Sequence, residues 1–391
     1  MTNEQKKLSF VDLFAGVGGF SQGFLRVNDA ALPFGFTPKL LVDTDETAGG
    51  TFKKNFPYIP FWVQDLYNVK GEQILGLTKM KHGELDFLIG GPPCQGFSTN
   101  GKRWLEDNRN QLMRHFVEIA LAIQPKCVII ENVPTALSAW QKIFDNEIQE
   151  AFSGYTVGTA VLNASEFGVP QIRKRAFIVA FRQDLGVSKI EFPHGEYNAI
   201  EVAANLHNEN DSGLRFVSVE EAIGDLPPLK SGTFLDGDKT LYRNTPPPTS
   251  DYQKARRKDS LRISNHSART HSEKFLKKIS IIKPGEGNSQ LSDEERFSDN
   301  YFSQAYARLH ADGISFTVTA HFRNPGSGRF THYRDNRSIT VREAARLQSF
   351  DDKFHFAAAS ESDQERHVGN AVPPLLAEAL AKQFGNIIAL L

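Results

Sequence analysis

In the first half of the chain, short apolar runs alternate with stretches whose apolar positions recur at helical spacing, the pattern of strands joined by crossover helices. Leu8–Phe14, Lys39–Val42, Phe61–Val63, Asp86–Ile89 and Cys127–Ile130 are the predicted strands, and Asn110–Ala122 is a predicted helix. From Asn163 to Phe181 the pattern reads strand, loop, strand, which would extend the sheet with antiparallel pairing. After Phe192 the texture changes: Asn, Ser, Asp and Pro become frequent, and Pro246-Pro247-Pro248 interrupts the chain. A globular pattern returns near Ser338, with a helix over Thr340–Ser349 and a last one from Pro374 to Phe384. No internal repeat is present. The expected fold class is α/β, a doubly wound sheet over residues 1–185, an inserted second domain over 186–335, and a return to the first domain over 336–391.

The chain has 391 residues, 40% hydrophobic and 23% charged, a composition suited to two or three globular domains. No run approaches the roughly 18 apolar residues of a membrane helix, and Met1–Lys7 is polar, so the expectation is a cytoplasmic protein without a membrane partner. Two cysteines, Cys94 and Cys127, exclude a disulfide framework, and the eleven histidines show no metal-ligand spacing, so no metal is expected. A net charge of -1 hides an uneven distribution. Between Lys230 and Lys283 thirteen Lys/Arg stand against five Asp/Glu, an excess of eight centred on Lys254, Arg256, Arg257, Lys258 and Arg262. Such a cluster is either a nucleic-acid footprint or a solvated loop.

Asp12-Leu13-Phe14-Ala15-Gly16-Val17-Gly18-Gly19-Phe20 follows a strand and opens a helix, where closely spaced glycines let a nucleotide-type ligand lie against the backbone. A pyrophosphate fingerprint would place a third glycine at position 21, but Ser21 stands there. Asp43 and Asp65, each after a predicted strand, suit a ribose diol and an adenine amino group. The second segment, Gly90-Gly91-Pro92-Pro93-Cys94-Gln95-Gly96-Phe97-Ser98, leaves the carboxyl edge of the sheet, where such folds bind ligands. Its prolines stiffen the loop and its glycines clear space, so that the Cys94 thiol is presented rather than used as apolar filler. Cys127, inside an apolar run, reads as filler. Glu131-Asn132-Val133 brings a carboxyl group to the same edge, and Gln171-Ile172-Arg173-Lys174-Arg175 brings two arginines spaced to face one side.

In this order the segments resemble the motifs of the DNA (cytosine-5)-methyltransferase family, in its prokaryotic and phage restriction-modification form. FxGxG at Phe14–Gly18, PPCQ at Pro92–Gln95, ENV at Glu131–Val133 and QxRxR at Gln171–Arg175 are followed by Arg337–Gln348 and by Gly369-Asn370-Ala371-Val372. The resemblance covers Leu8 to Phe181 and Asn336 to Phe384. It implies a Rossmann-like S-adenosylmethionine-dependent catalytic domain, with the unmatched basic stretch as a smaller target-recognition domain. One departure stands out: Thr44 occupies the position where the family commonly has the aromatic that covers the adenine.

The resemblance further implies how the residues act. Cytosine C5 is a weak nucleophile, so the Cys94 thiolate adds to C6, Glu131 protonates N3, and Arg175 holds O2, with Arg173 assisting either it or the backbone. Phe14, Gly16, Gly18, Asp43, Asp65, Pro92, Asn370 and Ala371 surround S-adenosylmethionine. The base must be flipped out of double-stranded DNA, which costs a few kcal/mol. Gln95, Ser98, Lys102 and Arg103 in the loop after the nucleophile, with Arg256, Arg257 and Lys258, are the expected DNA contacts. The expected protein is a monomer that modifies DNA alongside a separately encoded restriction endonuclease. Three rivals remain: transfer-RNA cytosine methylation, a catalytically silent DNA-binding relative, and a Rossmann oxidoreductase.

Overall fold

The computed structural model describes residues 5–93, 108–135, 152–197, 215–235, 241–292, 295–296 and 304–391. Its strands are β1 (Lys6–Leu13), β2 (Phe34–Asp43), β3 (Phe61–Val63), β4 (Phe87–Gly90), β5 (Cys127–Asn132), β6 (Tyr155–Asn163) and β7 (Lys174–Arg182). Among the described residues the helices are α1 (Gly19–Arg26), α2 (Glu46–Asn55), α3 (Gly71–Thr78), α4 (Asn108–Ile123) and α5 (Val219–Ile223). Then follow α6 (Asp251–Arg257), α7 (Glu273–Ile281), α8 (Val341–Leu347), α9 (Glu361–Asn370) and α10 (Pro374–Leu390). Two compact units result: unit 1 is Met1–Asn163, Lys174–His194 and Pro374–Leu391, and unit 2 is Ala164–Arg173 and Gly195–Pro373.

Among the described residues, unit 1 holds a seven-stranded sheet in the order β3-β2-β1-β4-β5-β7-β6. β1 to β5 pair in parallel, and β7 runs antiparallel to both β5 and β6. The order reverses at β1, which lies between β2 and β4; the crevice beyond that reversal is where doubly wound sheets take ligands. Side chains alternate between the faces. On one face Val11, Leu13, Val42, Leu88, Val128 and Ile130 pack on Phe116, Ile119 and Ile123 of α4. On the other, Phe24 of α1 lies against Phe36, Phe10 and Phe87 with ring centroids 4.7, 5.3 and 5.7 Å away. Each such fully buried Phe contributes about 1.5–3 kcal/mol. α10 covers this face beside α1: a Cβ added to Gly23 would stand 2.3 Å from the Ala377 Cβ, so only glycine permits the approach. The predicted strands of the first half are all present. The strand expected to begin at Asn163 instead ends there, because the alternating run Tyr155–Leu162 is what pairs with β7.

Unit 2 joins its described segments through isolated bridges and short helices rather than a sheet of its own. Charge fills much of its interior. Arg346 ties Asp225 (3.1 Å) to Asp352 (2.6 Å), and Arg337 ties Glu343 to Asp335 at 2.8 Å each, with both arginines fully buried. Arg342 donates to the Ser264 carbonyl at 2.9 Å. These bonds attach α8 to residues 225–264, so 336–373 packs within unit 2, and the chain rejoins unit 1 at Pro374 rather than at 336 as the sequence pattern suggests.

Candidate active site

Two adjacent strands of unit 1, β1 and β4, end at the point where the strand order reverses, and each opens into a glycine-bearing turn. Beyond β1, Phe14 and Gly16 take left-handed backbone conformations with φ of 59° and 53°. Ala15 N–H donates to the Val42 carbonyl at 3.1 Å, and Gly16 N–H donates to Asp43 Oδ2 at 2.7 Å, which pins the turn to the end of β2. A Cβ at Gly18 would stand 2.6 Å from the Phe52 ring, whereas one at Gly16 would meet nothing within 4 Å. Gly18 is therefore a packing glycine, and Gly16 borders open space. Asp43 takes a second donor, Asp45 N–H at 2.8 Å, and Asp65 accepts from Tyr67 N–H at 3.0 Å at the head of a short 3-10 turn. The carboxylates at positions 43 and 65 thus end β2 and follow β3 on the same edge of the sheet.

Beyond β4, the backbone passes close to its neighbours: a Cβ at Gly90 would lie 2.4 Å from the Leu13 carbonyl oxygen, and one at Gly91 would lie 3.0 Å from Glu131 Oε2. Glu131 is near the end of β5, where Phe177 of β7 is its cross-strand partner. Arg175, two residues before Phe177, falls diagonally on the same face, within reach of a long side chain. Its Nε meets Glu131 Oε1 at 2.8 Å, with both side chains largely buried. Burial pulls the Arg175 pKa down, and the Glu131 charge pulls it back up. Asn132, buried on the opposite face, donates to the Pro92 carbonyl at 2.9 Å and accepts from Val133 N–H at 2.9 Å. One tripeptide therefore carries a carboxylate braced by arginine and an amide that ties down the start of the Pro92-Pro93 loop. Sequence reasoning passed over Asn132 because it sits beside the more conspicuous Glu131. Cys94, Gln95, Ser98, Lys102 and Arg103 lie outside the described residues.

Three expected site residues have other positions. Arg173 precedes the first residue of β7, so strand alternation does not place it beside Arg175. It is buried in unit 2 and donates to three carbonyls, Val318 (3.1 Å), Gly369 (2.9 Å) and Ala371 (3.1 Å). Arg256 is 3% exposed, donates to the Ser349 carbonyl at 2.9 Å, pairs with Asp351 at 3.4 Å and lies 5.2 Å from the Tyr252 ring. Arg257 pairs with Asp225 at 3.0 Å and stacks 4.0 Å over Tyr242. A count of charge along the sequence shows neither carboxylate, because both are distant in the chain. Lys258, at the end of α6, is exposed. Asn370 is exposed at the end of α9, and Ala371 follows it. Among the described residues no cluster of His, Cys, Asp and Glu could hold a metal ion.

The profile of the family described as C-5 cytosine-specific DNA methylase matches residues 8–386. Type II methyltransferase M1.HphI of Haemophilus parahaemolyticus is 36% identical over 383 residues, 96% of this chain and 86% of that protein. Type II methyltransferase M.DdeI of Desulfomicrobium norvegicum is 33% identical over 398 residues, 96% of this chain and 88% of its own length. Among solved structures, one described as a DNA modification methyltransferase encoded within an E. coli prophage superposes with a TM-score of 0.70 at 28% identity. It covers 98% of this chain and 99% of that one. The S. pombe Dnmt2 methyltransferase, at 14% identity and a TM-score of 0.59 over 98% and 99% of the two chains, shares the fold. With a profile match across nearly all of its length and two relatives aligned over 96% of it, the chain belongs to the C-5 cytosine-specific DNA methylase family.

Proposed function

We propose that Cys94, Glu131 and Arg175 carry the reaction of this family, transfer of a methyl group from S-adenosylmethionine to carbon 5 of cytosine in DNA. The observation that supports this assignment is the 2.8 Å Glu131–Arg175 pair on the edge of the sheet, beside the tethered start of the loop leading to Cys94. The pair uses Glu131 Oε1, while Oε2 faces the gap left by the missing side chain of Gly91.

The residues beyond β1, β2 and β3 fit S-adenosylmethionine. The backbone at Gly16 leaves room for a ligand, and Asp43 and Asp65 suit a ribose diol and an exocyclic amine. When bound, the cofactor supplies the methyl group on a sulfonium. Phe14, Gly16, Gly18, Asp43, Asp65 and Pro92 would hold it, with Asn370 and Ala371 assigned by the family motif. The rest is protein chemistry. The Cys94 thiolate forms a bond to C6 and opens the C5–C6 double bond, while Glu131 gives a proton to N3, so that C5 becomes nucleophilic. After C5 takes the methyl, a base removes the C5 proton and N3 returns its proton to Glu131. The double bond re-forms as Cys94 leaves. Arg175 orients Glu131 and holds O2 of the base.

Unit 1 is the catalytic and cofactor-binding part of this reading, and unit 2 supplies target recognition. The flipped base is reached from duplex DNA by Gln95, Ser98, Lys102, Arg103 and Lys258; Arg256 and Arg257 belong to the frame of unit 2 instead. The Type II methyltransferase relatives support a role as the modification half of a restriction-modification pair; a monomer acting in the cytoplasm completes this reading. No helix among the described residues is long and apolar enough to cross a membrane.

The test is transfer of labelled methyl to duplex DNA and transfer RNA in parallel, with 5-fluorocytosine DNA to trap the adduct. Label on DNA and a trapped complex that disappears in Cys94→Ser are expected, with Glu131→Gln slowing trapping but not cofactor binding. Trapping by Cys94→Ser, or label on RNA alone, would refute the reading.

A further inference from the structure

Ser21 is the residue that displaces the third glycine of a dinucleotide fingerprint, and it is fully buried in α1. Its hydroxyl donates to Asp12 Oδ2 at 2.5 Å. Asp12, 1% exposed, is the last-but-one residue of β1 and pairs with Leu41 of β2 and Ile89 of β4. By strand alternation it faces the same side as Asp43, two residues beyond Leu41, whose carboxylate takes the Gly16 N–H. The turn is therefore clasped twice: Asp43 holds its middle, and the Asp12–Ser21 bond closes its ends, joining the strand that enters it to the helix that leaves it. α1 begins at a left-handed Gly18 without a side-chain cap, so this bond substitutes for one.

We propose that Ser21 is a positioning residue for cofactor binding, acting through the ionised carboxylate of Asp12 to hold the Phe14–Gly18 turn in its binding conformation. This rests on the reading of that turn as the cofactor site. An ionised carboxylate accepts from both the hydroxyl and the backbone N–H of Ser21, whereas a protonated one gives up part of that capacity and loosens the clasp. Burial, reinforced by the negative charge of Asp43, pushes the Asp12 carboxyl up to about 7, while Ser21 pulls it down. Asp43 is the charged group facing it from β2. The paired β4 residues Ile89 and Gly90 are uncharged. Of the charged side chains on α1 and α10, Arg26 is paired with Glu378 at 2.7 Å, and Glu378 with Lys382 at 2.7 Å. Cofactor affinity then falls as the pH drops below neutrality, by at most tenfold per pH unit.

Calorimetric titration of the full chain with S-adenosylhomocysteine between pH 6 and 8.5 tests this without reference to turnover. In the parent, affinity declines below about pH 7. Ser21→Ala removes a donor that favours the carboxylate, so its decline begins at higher pH; Ser21→Thr, which keeps the hydroxyl, restores the parental profile; Asp12→Asn abolishes the pH dependence. Should Asp12→Asn not fold, the Ser21 variants decide alone. Equal weakening of Ser21→Ala at every pH would mark the bond as structural only and overturn the proposal. Asp43→Ala separates the two levels of the argument. If it binds like the parent, the turn is not the cofactor site. If it loses binding while the Ser21 and Asp12 variants titrate like the parent, the site stands and the role given to Ser21 falls.

Discussion

Arg175→Ala removes the arginine that pairs with Glu131. The bond is 2.8 Å long and both side chains are about one-eighth exposed, 13% and 14%, so solvent screens it only in part. A hydrogen bond to a charged group under such conditions is worth about 1.5–3 kcal/mol. If that energy is spent on aiming Glu131, then at about 1.36 kcal/mol per tenfold the chemical step slows by roughly ten- to 150-fold. Single-turnover methyl transfer and the rate of adduct formation on 5-fluorocytosine DNA, both at saturating cofactor and DNA, measure that step directly. S-adenosylhomocysteine affinity should stay parental, because neither Glu131 nor Arg175 touches the Phe14–Gly18 turn in the contacts described. Arg175→Lys keeps the charge but loses the planar fork, and should recover only part of the rate. A parental rate of adduct formation in Arg175→Ala, accompanied by a lowered melting temperature, would show that the pair braces β5 against β7 and does nothing for catalysis.

Arg346→Met takes one arginine partner from each of two buried carboxylates, leaving Asp225 to Arg257 at 3.0 Å and Asp352 to Arg342 at 3.7 Å, and should destabilise the protein by up to about 3–5 kcal/mol, read as a fall in the urea midpoint at constant slope. Arg256→Ala should lower stability and leave the salt dependence of DNA binding unchanged, whereas Lys258→Ala should reduce the slope of log affinity against log salt by about one. His332 is nearly fully buried, and desolvation holds its imidazole down to about 4 despite Glu343 and Asp335 nearby. Because its folded value lies below the ordinary 6.5, the unfolded chain binds the proton first. Stability is therefore complete above pH 6.5 and declines toward pH 4, by up to about 1.4 kcal/mol per pH unit. His332→Phe should flatten the urea midpoint across that window, and an unchanged decline would assign it to other groups.

Unit 1 was legible in the sequence because its strands are short, apolar and regularly spaced, and because the residues after β1, β4 and β5 have chemistry that a scaffold does not require. Unit 2 was not. α9 reads Glu-Ser-Asp-Gln-Glu-Arg-His-Val-Gly-Asn, too polar for a periodicity argument; its one local signal is Ser360, whose hydroxyl accepts from Asp363 N–H. Arg256 and Arg257 sit among exposed lysines in sequence, and what internalises them are Asp351 and Asp225, 95 and 32 positions away along the chain in one case forward and in the other back. Periodicity also misplaced Arg173, since two residues apart share a face only while both lie in the strand. In each case the decisive partner was non-local.

The aromatic face of unit 1 also carries a consequence for how the protein is made. Phe34 and Phe36 are synthesised early, yet Gly385 of α10 packs directly against both rings, and Lys6 Nζ bonds the Ile388 carbonyl across 382 positions of sequence. On the ribosome that half of the sheet therefore emerges long before α10, and must wait for translation of the whole of unit 2 with the side of Phe34 and Phe36 that α10 covers still exposed. Chaperone demand should accordingly concentrate on a nascent intermediate, and a fragment ending before Pro374 should be recovered in inclusion bodies while a separately supplied α10 peptide returns it to solution.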